Sequence, residues 1–281
     1  MLQKPMKGEL RTPEQIREQY IIAKELSDRL RKASKSERRI LYSSLYDELF
    51  RRVPFHPLVR RKNSAAETAN AINSQMKFLR IFLNQNTRYL EVGAGDCALA
   101  IELTKMVKEV YAVDVSVELT GQSARPPNFH LILTDGCSIP LPANSVDVAY
   151  SNQLMEHLHP DDAFEQLQNI YSALAPGGTY ICITPNRLSG PHDVSQYFDK
   201  VATCFHLKEY TTTELSSLFR RVGFSRVKVY LGAKAKYLGL PAFLFFFHEY
   251  LLEKLPYSFR RKIAHTLPTR LLMGIRLVGI K

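Results

Sequence analysis

Apolar residues recur every three or four positions through the first 80 or so residues. Near Arg88 the pattern changes to short β-rich runs separated by helical ones. Thr12 ahead of Pro13 offers a hydroxyl N-cap and a proline in the first turn, and Ile16, Tyr20, Ala23, Leu26 and Leu30 follow at helical spacing. A second helix is predicted after Ser36, with Ile40, Leu41, Leu45, Leu49 and Phe50 on one side. It should stop at Val53-Pro54, because proline disfavours helix at the preceding residue. Ser64-Ala65-Ala66-Glu67 reads as a capping box that opens a third helix along Ile72, Met76, Leu79 and Leu83. Asn84–Thr87 reads as a turn.

Beyond it, Tyr89–Val92, Val110–Val113, His130–Leu133, Val146–Tyr150 and Thr179–Thr184 are predicted strands, with helices at Ala98–Val107 and Asp161–Leu174. Thr211–Val222 is a further helix closed by Gly223, and Ser225–Leu231 and Arg276–Ile280 are two more strands. Alternation of this kind predicts an α/β, Rossmann-like fold, with a seven-stranded, mostly parallel sheet covered by helices on both faces. Residues 1–85 are expected to form a helical extension that acts as a cap, and residues 86–281 a single domain with a helical insertion at about 232–273.

Composition adds little to this, but the charge distribution does. Residues 1–64 hold 16 basic against 8 acidic side chains, residues 65–219 hold 9 against 17, and residues 220–281 hold 13 against 2. The basic ends are either solvated helix faces or surfaces close to something anionic, such as phospholipid or nucleic acid. Four scattered cysteines without C-x-x-C spacing argue against a zinc site or a disulfide framework and fit a reducing compartment. The first residues have no apolar signal core and no apolar run reaches about 20 residues, so a cytoplasmic protein is expected, peripheral to a membrane at most.

Candidate chemistry gathers where strands end, which is where open α/β sheets bind ligands. Tyr89-Leu90-Glu91-Val92-Gly93-Ala94-Gly95-Asp96 is a strand running into a glycine-rich turn ahead of a helix. Asp114 closes the second strand, where its carboxylate can accept from both hydroxyls of a ribose, and Asp135, after the third, can accept from an exocyclic amine. Gly93-Ala94-Gly95-Asp96-Cys97-Ala98 also satisfies the dinucleotide pattern G-x-G-x-x-A. The acids Glu91 and Asp135 nevertheless suit a cationic sulfonium amino acid better than a pyrophosphate.

In that ordered set the chain resembles the class I S-adenosylmethionine (SAM)-dependent methyltransferase superfamily, and most of all the group that includes the quinone-biosynthesis methyltransferases. The residues that carry the resemblance are Leu90–Gly95, Val113-Asp114, Asp135-Gly136, Leu141–Ala149, Glu156-His157-Leu158 and Leu174–Gly178, within a span of about residues 80–230. The resemblance implies that Glu91, Gly93, Ala94 and Gly95 hold the methionine part of SAM, and Asp114 the ribose. Asp135 would take the adenine amine, with Gly136 and Cys137 beside the ring, and Asn152 would lie next to the transferring methyl. Cys97 departs from the pattern, standing where many members have a third glycine, and implies a local shift with the site kept.

An oxygen acceptor of high pKa needs a base close to its proton. The candidates are His192 with neighbouring Asp193, His157, and His206. Each also has a structural reading, as a loop tie or a packed ring. Some relatives carry Glu-x-x-Glu-His and bind a divalent cation. This chain has Gln153-Leu154-Met155-Glu156-His157, which lacks the first carboxylate, so no metal is expected, although Glu156, His157 and His206 would make a three-ligand set.

The expected function is SAM-dependent methylation, on oxygen, of a small-molecule or lipid-linked acceptor such as a sugar hydroxyl or a phenol. RNA 2′-O-methylation is the enzymatic alternative and a non-catalytic SAM-binding scaffold the alternative of another kind. The aromatic run at residues 237–247, followed by Arg260-Arg261-Lys262 and Arg270, suits either contact with an anionic membrane surface or packing on the main domain.

Overall fold

The computed structural model describes residues 9–62, 64–116, 125–233 and 236–281. The chain opens with four helices: α1 (Pro13–Lys32), α2 (Lys35–Arg52), α3 (Pro57–Lys62) and α4 (Ala65–Leu79). Thr12 caps α1 and Ser34 caps α2, each in a reciprocal capping box, with Gln15 and Glu37 respectively. The second cap lies two residues earlier than the sequence pattern suggests. The short helix α3 was not foreseen, because six residues show too little periodicity to be read.

The sheet consists of β1 (Arg88–Val92), β2 (Glu109–Asp114), β3 (Phe129–Leu133), β4 (Val146–Asn152), β5 (Leu174–Pro185), β6 (Arg226–Ala233), β7 (Lys236–Pro241) and β8 (Gly274–Ile280). Its order is β3-β2-β1-β4-β5-β8-β6-β7. Strands β1 to β5 pair in parallel, and β8 runs antiparallel between β5 and β6. Helices α5 (Ala98–Leu103), α6 (Pro160–Ala173) and α7 (Thr212–Val222) lie between strands.

The eighth strand corrects both the expected count of seven and the expectation of a wholly helical insertion. β7 pairs antiparallel with β6 at the sheet edge. Its Tyr237 packs on Phe78 at 4.8 Å between ring centroids, beside Tyr230. Aromatic packing of the strand pair on Phe78 of α4 therefore decides a segment whose apolar run alone reads equally as helix. The rest of the insertion is helical: α8 (Phe243–Glu253), α9 (Tyr257–Ala264) and α10 (Leu267–Met273).

The N-terminal helices share the core of the sheet. Ile16, Leu26, Leu30, Tyr42, Leu45 and Leu49 cluster with Leu90, Val113 and Leu174. A buried ion pair fastens α2 to α6: Arg38 donates from Nη2 to Asp162 Oδ1 at 2.7 Å and from Nε to Oδ2, which also accepts from Tyr42 at 2.7 Å. Arg31 donates to the carbonyls of Cys204, His206 and Leu207 and so ties α1 to the loop that follows β5.

Candidate active site

A cavity of about 660 Å³ opens at the carboxyl ends of β1, β2 and β4 and is roofed by α1, α2, α3 and α4. This size suits a small-molecule site. Its wall includes Glu91, Gly93, Ala94, Gly95, Asp114, Gly136 and Asn152 from the expected cofactor set, and His157, His192, Asp193 and His206 from the expected base set.

β1 carries Glu91 to the turn and buries it. Its Oε2 has no hydrogen-bond partner among the described residues. Burial first, then the nearby charges of Asp96 and Asp114, hold its pKa well above the ordinary carboxylate range. A buried, unpartnered acceptor on the wall of a cavity is what a ligand ammonium would satisfy. Gly95 adopts φ +56°, and a Cβ there would meet nothing within 4 Å, so the turn presents bare backbone to open space. Its N–H donates to Asp114 Oδ2 at 2.7 Å, while Oδ1 accepts from the amides of Val115 and Ser116. The carboxylate of Asp114 is thereby fixed at the cavity edge. Cys97 takes φ +60°, a left-handed conformation in which glycine would be relaxed, and caps α5 without a side-chain bond.

Two of the expected cofactor residues stand elsewhere. Asp135 and Cys137 are not part of the cavity wall. Asp135 accepts from the amides of Cys137 and Ser138 through Oδ1, and from Ser138 Oγ and Arg39 Nη1 through Oδ2. Arg39 on α2 thus bonds the carboxylate that was expected to meet an adenine amine. Thr134 and Gly136 line the cavity at this point instead.

The histidines also rearrange the expected picture. Asp193 is not the partner of His192, because its carboxylate caps the following turn and accepts from the amides of Ser195, Cys204 and His206. The partner is Glu209, which sequence reasoning missed. It accepts from the His192 amide at 2.7 Å, lies 3.2 Å from His192 Nδ1, and lies 2.7 Å from His206 Nδ1. His192 Nε2 meets Ser189 Oγ at 3.1 Å, so both of its ring nitrogens are engaged. Gly190 makes this approach possible, since a Cβ there would stand 2.1 Å from Glu209 Oε2.

Burial alone would push His206 down, but the bond to Glu209 and the neighbouring carboxylates of Glu156 and Asp193 outweigh it and raise its pKa. Burial would likewise raise Glu209, yet the two imidazoles bring it down to about 2. His157 is the opposite case. Burial and the nearby His206 push it down to about 3, and its Nδ1 is bonded to the Phe205 carbonyl at 3.0 Å. Glu156, His157 and His206 each present a ligand atom within 4.8 Å of the others, so the three-ligand set is spatially real. Glu156 is buried, with Oε2 accepting from Thr184 at 2.9 Å and Oε1 unpartnered.

With the geometry in place, comparison with known proteins gives the class. A family model described as a methyltransferase domain matches residues 64–229. The chain belongs to this methyltransferase-domain family. It is 29% identical over 136 residues to a Mycolicibacterium smegmatis protein described as a probable SAM-dependent methyltransferase, covering 48% of this chain and 51% of that one. A Mycobacterium tuberculosis protein of the same description matches at 29%, with 47% of its length covered. The chain thus spans about half the length of the curated relatives it matches.

Among solved structures it is similar to a SAM-dependent methyltransferase of Thermotoga maritima (TM-score 0.51, 18% identity, 76% of this chain and 90% of that one). It is similar to one of Archaeoglobus fulgidus to the same degree (TM-score 0.51, 18% identity, 75% and 94%). The fold is that of the class I SAM-dependent methyltransferases, and the buried acid, bare turn and fixed carboxylate fit SAM.

Proposed function

We propose that the protein transfers the methyl group of SAM to an oxygen of a small or lipid-linked acceptor, a sugar hydroxyl or a quinone-like phenol, with His206 as general base. The observation that carries this is the His206–Glu209 pair, 2.7 Å apart, on the wall of the cavity that also holds the glycine turn. When bound, SAM supplies a methyl already activated on sulfonium. The task left to the chain is alignment, exclusion of water and removal of one proton.

Glu91 and the Gly93–Gly95 backbone would hold the amino-acid end, Asp114 the ribose hydroxyls, and Gly136 and Asn152 the neighbouring walls. Glu209 accepts from His206 Nδ1, which fixes that nitrogen as the donor and leaves Nε2 as the basic atom for an acceptor hydroxyl. His157, neutral and weakly basic, is better suited to shape the wall than to take the proton.

The partner surface follows from the insertion, and here we infer contact with an anionic bilayer. Phe243, Leu244, Phe247, Tyr250 and Leu251 of α8 are exposed, while Phe245 and Leu252 pack inward. Lys254, Arg260, Lys262 and Arg270 nearby form no ion pair among the described residues. An apolar face rimmed by free cations is complementary to anionic lipid. No helix among the described residues is long and apolar enough to cross a membrane.

The test is incubation with methyl-labelled SAM and, separately, lipid extract, small phenols and RNA, each with and without a chelator. Labelled methyl ethers in the lipid or phenol samples, undiminished by chelation, support the proposal. Label confined to RNA, or lost on chelation, would favour instead a metal held by Glu156, His157 and His206.

A further inference from the structure

A second cleft, of about 270 Å³, shares His206 with the first. It is lined by Arg187, Lys200, Lys208 and Arg260, together with His206, Glu209 and Glu214. Its four cations come from separate parts of the fold: the turn after β5, the loop leading to α7, and helix α9 of the insertion. Both carboxylates are already committed. Glu209 serves His192 and His206, and Glu214 caps α7 through Thr211 and lies 3.4 Å from Arg187.

Arg187 is paired with Glu253 at 2.8 Å, but Lys200, Lys208 and Arg260 have no carboxylate partner among the described residues. Lys208 stands over the Tyr210 ring at 5.1 Å and Arg260 over Tyr257 at 5.9 Å. The Nε of Arg260 is buried and has no acceptor. A buried guanidinium N–H without an acceptor is costly, and an oxyanion presents the paired oxygens that a guanidinium fork matches.

We propose that this cleft binds a phosphate-class oxyanion, held by Lys200, Lys208 and Arg260 beside Arg187. The site is distinct from the glycine turn. His206 lines both cavities. The oxyanion would therefore sit next to the base, as part of an acceptor or of the lipid headgroup that presents it. That bearing on the acceptor rests on the role proposed for His206, whereas anion binding itself does not. Because α9 supplies both Arg260 and part of the basic rim of the insertion, the same phosphate chemistry can reach the cleft from a lipid headgroup or from a soluble compound.

The experiment is calorimetric titration of pyrophosphate into the full chain and into a Lys208→Gln/Arg260→Gln variant, with SAM titrated into both as a control for folding. Neither position touches the cofactor cavity. The proposal expects pyrophosphate affinity to fall at least about tenfold in the variant, through the loss of charge-assisted hydrogen bonds, with SAM affinity unchanged. Equal pyrophosphate affinity in the two proteins, or no pyrophosphate binding by a SAM-binding wild type, would overturn it. SAM binding that is absent from both would instead count against the methyltransferase reading. A flotation arm with phosphatidylcholine vesicles, with and without phosphatidic acid, separates the sources. If Lys208→Gln alone, which leaves the rim cations of the insertion in place, loses the extra flotation given by phosphatidic acid, the oxyanion is a headgroup; if its flotation is unchanged while pyrophosphate affinity falls, it is a soluble phosphate.

Discussion

Glu209 accepts from two imidazoles at once, and this makes it a positioning residue for His206. Glu209→Gln should lower kcat by about 10²-fold, the scale of a general-base contribution. It should also move the pH profile. A base of the kind proposed for His206 acts when neutral, so wild-type activity should rise with pH through the raised His206 pKa. Without the carboxylate that pKa drops, and the rise should shift to lower pH with a lower plateau. A fall in kcat with no shift in the profile would assign Glu209 a purely structural role. Glu91 and Asp114, which line the cavity, could be singled out from the sequence because each stands in a short local motif. Glu209 was not, because its meaning depends on His192, seventeen residues away, and on the close approach that Gly190 permits. Asp135 is the reverse case. Its local motif is intact, but a residue 96 positions earlier, Arg39, occupies its carboxylate.

Helices α2 and α6 are joined by a bidentate pair that no local pattern announces. Burial alone would raise the Asp162 pKa, yet the hydrogen bonds from Arg38 and Tyr42 lower it below the ordinary value. The stability this contributes is present above the unfolded carboxylate pKa and is lost as pH falls through the folded one. Arg38→Ala leaves Asp162 buried without its cation and should cost about 3 kcal/mol at neutral pH. Denaturant melts across pH 3–7 check both points: the deficit should narrow in acid, and a deficit independent of pH would contradict the pairing account. Most boundaries of the sheet elements were readable from alternating periodicity and caps. The strand β7 was not, since Tyr237 is placed by Phe78 of α4, on which Tyr230 also packs, rather than by its neighbours in sequence.

For the whole molecule, the two basic ends have different fates. Three cations of the second N-terminal helix reach the acidic middle, Lys35 and Arg39 through Glu165, Arg39 also through Asp135, and Arg38 through Asp162, while Arg29 and Arg52 pair with acids of the N-terminal helices themselves. Lys254, Arg260, Lys262 and Arg270 of the insertion form no ion pair among the described residues, and the same insertion carries an exposed aromatic face. Charge counts along the sequence distinguish the two ends by size alone, whereas contact decides which remains available. Phe243→Ser/Phe247→Ser should therefore reduce flotation on anionic vesicles severalfold, and added salt should weaken what remains. Point substitutions are preferable to removing the segment, because Glu249 on α8 caps α7 through the amides of Thr212 and Thr213. Equal flotation of both proteins would leave this face without a role in membrane contact.

The site at the end of β1 can be probed by itself, with calorimetric titration of SAM and of S-adenosylhomocysteine into the wild-type chain and into Asp114→Asn. Asp114 fixes the Gly95 amide and faces the cavity. The account predicts micromolar binding of both ligands by the wild type and affinity at least about tenfold weaker in the variant, as expected for lost hydrogen bonds to a carboxylate. Unchanged affinity in a folded Asp114→Asn protein, or no binding by the wild type, would contradict it.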